Sequence, residues 1–141
     1  MQKIIIGREY PETIIELVKQ AQHSIKVLIY DWRWYSHDPH SKVQKFNNEI
    51  LYAIRRGVKV SAVVNSRIIS DILKSNGVDV VVCDSSKVMH IKMCVFDSSF
   101  VILGSHNLTM NAFEINHEMS ILTDDQDSIK KCELFFDCIK K

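Results

Sequence analysis

The chain has 141 residues, 46% of them apolar and 25% charged, a size and balance at which one hydrophobic core forms without disulfide or metal staples. Its formal net charge of +1 excludes a fold dominated by one sign of charge, so a polyanionic partner would have to be held by a local patch. No apolar run reaches the roughly 20 residues of a membrane-spanning helix, and Ile4–Ile6 is too short for the apolar core of a secretion signal.

In chain order, Pro11 followed by Ile14, Ile15, Leu17, Val18 and Ala21 has helical spacing with proline in the first turn. Residues 24–30 are rich in β-branched side chains and predict a strand. After a polar loop around Pro39, Phe46, Ile50, Leu51 and Ile54 mark a helix that stops at Gly57, with Arg55 and Arg56 in its last turn. Strands are expected over 58–64 and 78–83, with a short helix over 68–73 between them. Two more strands, 91–96 and 100–103, are joined by Asp97-Ser98-Ser99, which suits a tight hairpin. A strand over 115–122 and an amphipathic helix carrying Ile129, Leu134, Phe135 and Ile139 complete the pattern. Strands apolar on both faces and alternating with helices predict an α/β fold, with a central sheet sandwiched by helices on both faces. The hairpin makes that sheet mixed. No linker or repeat interrupts the chain, which reads as a single domain over 1–141. Cys83, Cys94, Cys132 and Cys138 lack C-x2-C spacing and read as reduced, buried thiols of a cytoplasmic protein.

The most specific signal is H-x-K-x4-D-x6-G-S-x-N, formed by His90, Lys92, Asp97, Gly104, Ser105 and Asn107. Six fixed residues recur by chance about once in 10^7–10^8 start positions. Residues two apart in a strand share a face, so His90 and Lys92 project together, as do Ser105 and Asn107. Gly104 permits close backbone approach. Asn116, Glu118 and Ser120 share one face of the last strand. A buried carboxylate such as Glu118 is costly unless paired, and a histidine N–H or a lysine would pair it. The expected cluster holds an imidazole, an ammonium, an amide and one carboxylate, too few carboxylates for a catalytic Mg²⁺ site. The chemistry is therefore expected to need no metal or other cofactor.

In this motif the chain resembles the phospholipase D superfamily, and within it the small bacterial endonucleases that carry one H-K-D motif. Ala21–Ile25, Arg56–Val60, Asn76–Val78 and Asn116–Glu118 also fall where such proteins have similar pieces. The resemblance implies a phosphodiesterase. His90 would attack phosphorus to form a phosphohistidine, and Lys92 and Asn107 would hold the non-bridging oxygens. Ser105 would support the phosphate site, and Glu118 would fix the His90 tautomer by accepting its other ring proton. Asp97 belongs to the motif as a structural brace. A second imidazole must protonate the leaving oxygen, and one motif per chain implies that it is His90 of a second copy in a homodimer with the active site at the interface. Relatives often carry a second histidine and a glycine where Met89 and Ser98-Ser99 stand here. Nucleic acid is the expected substrate and no membrane is expected; a phospholipid-cleaving enzyme and a catalytically silent nucleic-acid-binding or dimerisation module are the alternatives.

Beyond the motif, Trp32, Arg33 and Trp34 run off a strand end and are candidate substrate-binding residues, two stacking rings around a guanidinium. The alternative is tryptophans packed at a strand end or in a dimer interface. His37 and His40 lack a third ligand and read as polar surface; His106 and His117 read as structural. Lys42, Lys45, Arg55, Arg56 and Lys59 form a basic region that reads as a solvated face or a phosphate-backbone contact.

Overall fold

The computed structural model describes residues 1–84 and 86–141. In order these form β1 (Gln2–Ile6), α1 (Glu9–Gln20), β2 (Ser24–Ile29), α2 (Lys42–Arg55), β3 (Lys59–Val64), α3 (Arg67–Ser75), β4 (Asp79–Val82), β5 (Lys92–Phe96), β6 (Phe100–Gly104), β7 (Met119–Thr123) and α4 (Gln126–Lys140). Helix starts follow their capping residues: Ser41 accepts from Gln44 N–H, Ser66 from Ile69 N–H and Asp125 from Ser128 N–H. Gly57 and Gly77 follow α2 and α3 at φ +96°, the left-handed conformation in which a helix ends cheaply on glycine.

The seven strands form one sheet in the order β1-β7-β6-β5-β2-β3-β4. The β2–β3 and β3–β4 pairs are parallel and the remaining pairs antiparallel. The sheet is thus mixed and helix-covered on both faces, as expected, but unequally. Ile25, Val27, Ile29, Val60, Ala62, Cys94 and Ile102 point into the larger core under α1, α2 and α3. Leu28, Val63, Met93, Val95 and Val101 form a smaller core on the other side with Met89 and with Ile129 and Phe136 of α4, flanked by Cys132 and Ile139 of the same helix. Burying each such side chain contributes about 1.5–3 kcal/mol.

Two predicted boundaries are corrected. The N-terminal edge strand β1 was not anticipated, because Ile4, Ile5 and Ile6 form a short run without alternation, and its partner lies more than a hundred residues away, with Ile4 opposite Ile121. The expected strand over 115–122 begins only at Met119. Before it Asn111–Ile115 wind into one π-helical turn, with Asn116 N–H bonded to Asn111 C=O at 2.8 Å. That turn leaves Asn116, His117 and Glu118 in the extended lead-in to β7.

Among the cysteines, Cys94 is buried and burial raises its thiol pKa to about 12. Cys83 and Cys132 are half-buried, and Cys138 is exposed on α4, contrary to the expectation of four buried thiols.

Candidate active site

Apart from Asp97, the motif residues lie at one end of the sheet, beyond the carboxyl ends of parallel strands β2 and β3 and the amino end of antiparallel β5. Polar ligands commonly bind at such strand ends, because the backbone there has run out of ladder partners. Lys92 opens β5, and His90 lies two residues before it on the incoming loop. Their shared parity brings Lys92 Nζ to 2.9 Å from His90 Nδ1 and 3.5 Å from Nε2. An ammonium offers only donors, so the ring nitrogen facing it presents its lone pair. Burial lowers the Lys92 pKa, and the negative charge of Glu118 opposes that shift.

Gly104 and Ser105 close β6. A Cβ at Gly104 would lie 2.4 Å from both Met119 O and Ser120 Cα, so the glycine is required by the approach of β7. That approach lets Ser105 N–H donate to Met119 O at 3.0 Å, while Ser105 Oγ accepts from Met119 N–H at 2.9 Å. The Ser105 hydroxyl donates in turn to Glu118 Oε1 at 2.6 Å, and Asn116 Nδ2 donates to Oε2 at 3.2 Å. Both carboxylate oxygens are thereby engaged. Glu118 makes no hydrogen bond to His90 among the described residues, so the expected tautomer-fixing contact is replaced by the contact of Lys92 with the imidazole. The physical reason is the shortened β7: Glu118 precedes the strand and is held back over Ser105. Asn107 Oδ1 accepts from Asp31 N–H at 3.1 Å, which leaves its amide NH₂ as a donor beside the site.

Asp97 lies at the far end of β5, about 16 Å of strand away from Lys92. Its carboxylate accepts N–H groups of Gln22 (2.9 Å), His23 (2.7 Å) and Ser24 (3.0 Å), tying the α1–β2 turn to the hairpin. Burial pushes its pKa up, but the three N–H donors and His23 outweigh this and lower it. It is a brace and not part of the reacting cluster. Asp97 and Ser98 have φ of 55° and 52°, as the two central residues of a type I′ turn require.

Trp32 is only 2% exposed, and its indole N–H donates to Asn47 Oδ1 at 2.7 Å. Its ring packs in the core and is not the exposed stacking platform expected. Arg33 is exposed and forms a forked pair with Asp31 at 2.8 and 3.3 Å, and Trp34 is half-buried. His106 is buried between Ser120 Oγ (2.8 Å) and Gly7 C=O (3.0 Å) and stacks on Tyr10 at 4.1 Å. Burial lowers its pKa, as suits the structural role expected for it. His37, His40 and His117 are exposed. Of the basic region, Arg56 is spent on the carbonyls of Val18 and Ala21, and Lys59 sits at the Asp97 end of the sheet.

Two further residues touch the site: Tyr30, which the sequence marks only as heading the segment that runs off the strand end, and Asn65, which it does not mark. Tyr30, just past β2, lies against His90 with ring centroids 4.6 Å apart, and Lys92 Nζ is 5.4 Å from its ring centre. Asn65, just past β3, donates through Nδ2 to Tyr30 C=O (3.1 Å) and Met89 C=O (2.8 Å), and its Oδ1 accepts from Met89 N–H at 3.3 Å. It clamps the loop carrying His90 to the end of β2. The available signal was a polar side chain directly ending an apolar strand.

The family model described as "Cardiolipin synthase, PLD-like domain" matches residues 14–139. The chain is 28% identical over 130 residues to the mitochondrial cardiolipin hydrolase of Xenopus tropicalis, covering 88% of this chain. It spans 58% of that protein's length, and 31% of the Xenopus laevis protein of the same name. Its fold is shared with NucT from Helicobacter pylori (TM-score 0.77, 22% identity) and with Nuc from Salmonella typhimurium, a phospholipase D family member (TM-score 0.80, 17% identity). Each alignment covers 99% of this chain and 94% of the other.

Proposed function

Because the chain belongs to the phospholipase D superfamily, matching its PLD-like domain over residues 14–139, we propose that it is a metal-independent phosphodiesterase that hydrolyses nucleic-acid phosphodiester bonds as an endonuclease. The observation that carries this reading is the contact of Lys92 Nζ with the His90 imidazole at 2.9 Å, at a strand end shared with Asn107, Ser105 and Glu118. In the resting site the ammonium occupies the imidazole lone pair. An entering phosphodiester oxygen takes the ammonium and frees that lone pair to attack phosphorus. A P–N bond forms and the P–O bond to the leaving group breaks, giving a phosphohistidine. Lys92 and the Asn107 NH₂ hold the non-bridging oxygens as their charge grows. The sole carboxylate of the cluster, Glu118, is engaged on both oxygens, so the working groups are nitrogen donors of the protein.

The leaving oxygen needs a proton, and water must later be activated to split the P–N bond. We assign both tasks to His90 of a second copy, so that residues 1–141 supply one half of a homodimeric catalytic unit. An exposed apolar collar of Ile6 and Met119 beside Glu118 supports a second copy docking over the site. In chelator, the protein is expected to cut plasmid, single-stranded DNA or RNA, and His90→Ala to lose at least about 10^3-fold. Failure to hydrolyse any diester would sink the enzyme.

One observation favours a second reading, phospholipid cleavage. An apolar groove of about 540 Å³ lies between α4 and the sheet, lined by Ile91, Met93, Leu103, Leu134 and Phe135, and it begins beside His90. Anionic phospholipid vesicles in the same assay decide between the two, since lipid turnover without nucleic-acid turnover would reverse their order. No helix among the described residues is long and apolar enough to cross a membrane.

A further inference from the structure

A second cavity, of about 320 Å³, adjoins the site on the side away from α4 and the groove beneath it. One wall is the segment Asp31–Trp34, and the other is the start of α3, with Ser66, Ile68 and Ile72. Both walls run back to the reacting cluster. The first begins where Tyr30 lies on His90, and its Asp31 N–H is bonded to Asn107 Oδ1 at 3.1 Å. The second begins one residue after Asn65, which clamps Met89. The cavity's walls are thus continuous with the segments that touch His90 and Asn107.

The walls differ in chemistry. Trp34, Ile68 and Ile72 offer apolar surface, and Ile68 is 77% exposed. The Asp31–Arg33 pair offers carboxylate and guanidinium edges that face solvent, and the buried Trp32 forms a fixed floor held by Asn47. An alkyl chain would desolvate that ion pair without replacing its hydrogen bonds. A planar heterocycle with apolar faces and polar edges matches both walls. The volume lies at the small end of ligand pockets and suits one nucleoside-sized group.

We infer that this cavity seats a nucleobase, that of the nucleotide joined to the scissile phosphate, with Trp34 and Ile68 against its faces and Arg33 at its edge. The inference rests on the nuclease reading for its place in catalysis, but binding can be tested without turnover. Titration with deoxyadenosine 5′-monophosphate is expected to quench the emission of Trp34, a signal absent in Trp34→Phe. Deoxyribose 5-phosphate, which has the same phosphate and no base, is expected to bind about tenfold more weakly, the scale of one lost base stack. Ile68→Glu, at an exposed position, is expected to erase most of that difference. In turnover, an oligonucleotide is expected to show a KM about tenfold below that of a base-free oligomer with the same sugar-phosphate backbone. Equal binding of the two monophosphates would overturn the cavity's role. So would equal KM values for the two oligomers, with the nuclease left standing. If neither oligomer is cut while vesicles are, the nuclease reading falls and the monophosphate titration alone decides the cavity.

Discussion

Lys92 is the residue on which the proposed chemistry turns, because it touches the nucleophile before substrate arrives and the phosphate afterwards. Burial lowers its pKa and Glu118 partly restores it. A phosphate-holding ammonium must stay protonated, so activity is expected to fall as pH rises through that lowered pKa. Glu118→Gln removes the opposing negative charge, and the alkaline limb of kcat/KM against pH is expected to move to lower pH. A limb that stays or moves upward would remove Lys92 from this role. Asn65 acts one step further out. Asn65→Ala leaves Met89 and Tyr30 backbone groups without their partner, a loss of about 1–3 kcal/mol, and frees the His90 loop. A fall in kcat larger than the rise in KM is expected from steady-state kinetics, because a displaced nucleophile weakens the transition state more than binding. The sequence marked His90, Lys92 and Asn107 by spacing alone. Tyr30 and Asn65 carry no motif, because their contacts join loops that follow three different strands.

At the scale of elements, the β5–β6 hairpin and its neighbour β7 set the site's geometry. The hairpin was readable from Asp97-Ser98-Ser99 between two apolar runs, and parity placed His90 with Lys92. The closeness of β6 to β7 depends on Gly104, whose missing side chain leaves room for the Met119 carbonyl. Since the obstructing atoms are backbone, Gly104→Ala is expected to cost about 3 kcal/mol, seen as a lower urea midpoint with an unchanged m-value. It should also disturb the Ser105–Glu118 contact, and so activity, in molecules that remain folded. The π-helical turn before β7 had no comparable signal: Ile115–Leu122 is apolar enough to read as a strand, and only the turn's wider backbone pairing ends that reading.

At the scale of the molecule, the two sheet faces are covered unequally, by three helices and by one, and the apolar collar beside Glu118 is left open. If a second copy covers it, Met119→Glu is expected to give monomers by sedimentation and, at the same protein concentration, to lower diester hydrolysis at least about tenfold. A fully active monomer would refute the shared site. The sequence by itself determined the family and the mixed sheet between helices, and marked the trio proposed to react, since apolar periodicity, turn chemistry and motif spacing are local properties that each segment carries with it. Tertiary structure alone decided that Trp32 is core, that Glu118 is held by Ser105 and Asn116 instead of His90, which backbone groups the Asp97 brace ties together, and that β1 exists at all. Each of these depends on which distant backbone comes to lie beside a side chain. That is settled by packing the whole sheet, whose strand order places β1 next to β7 across more than a hundred residues of chain.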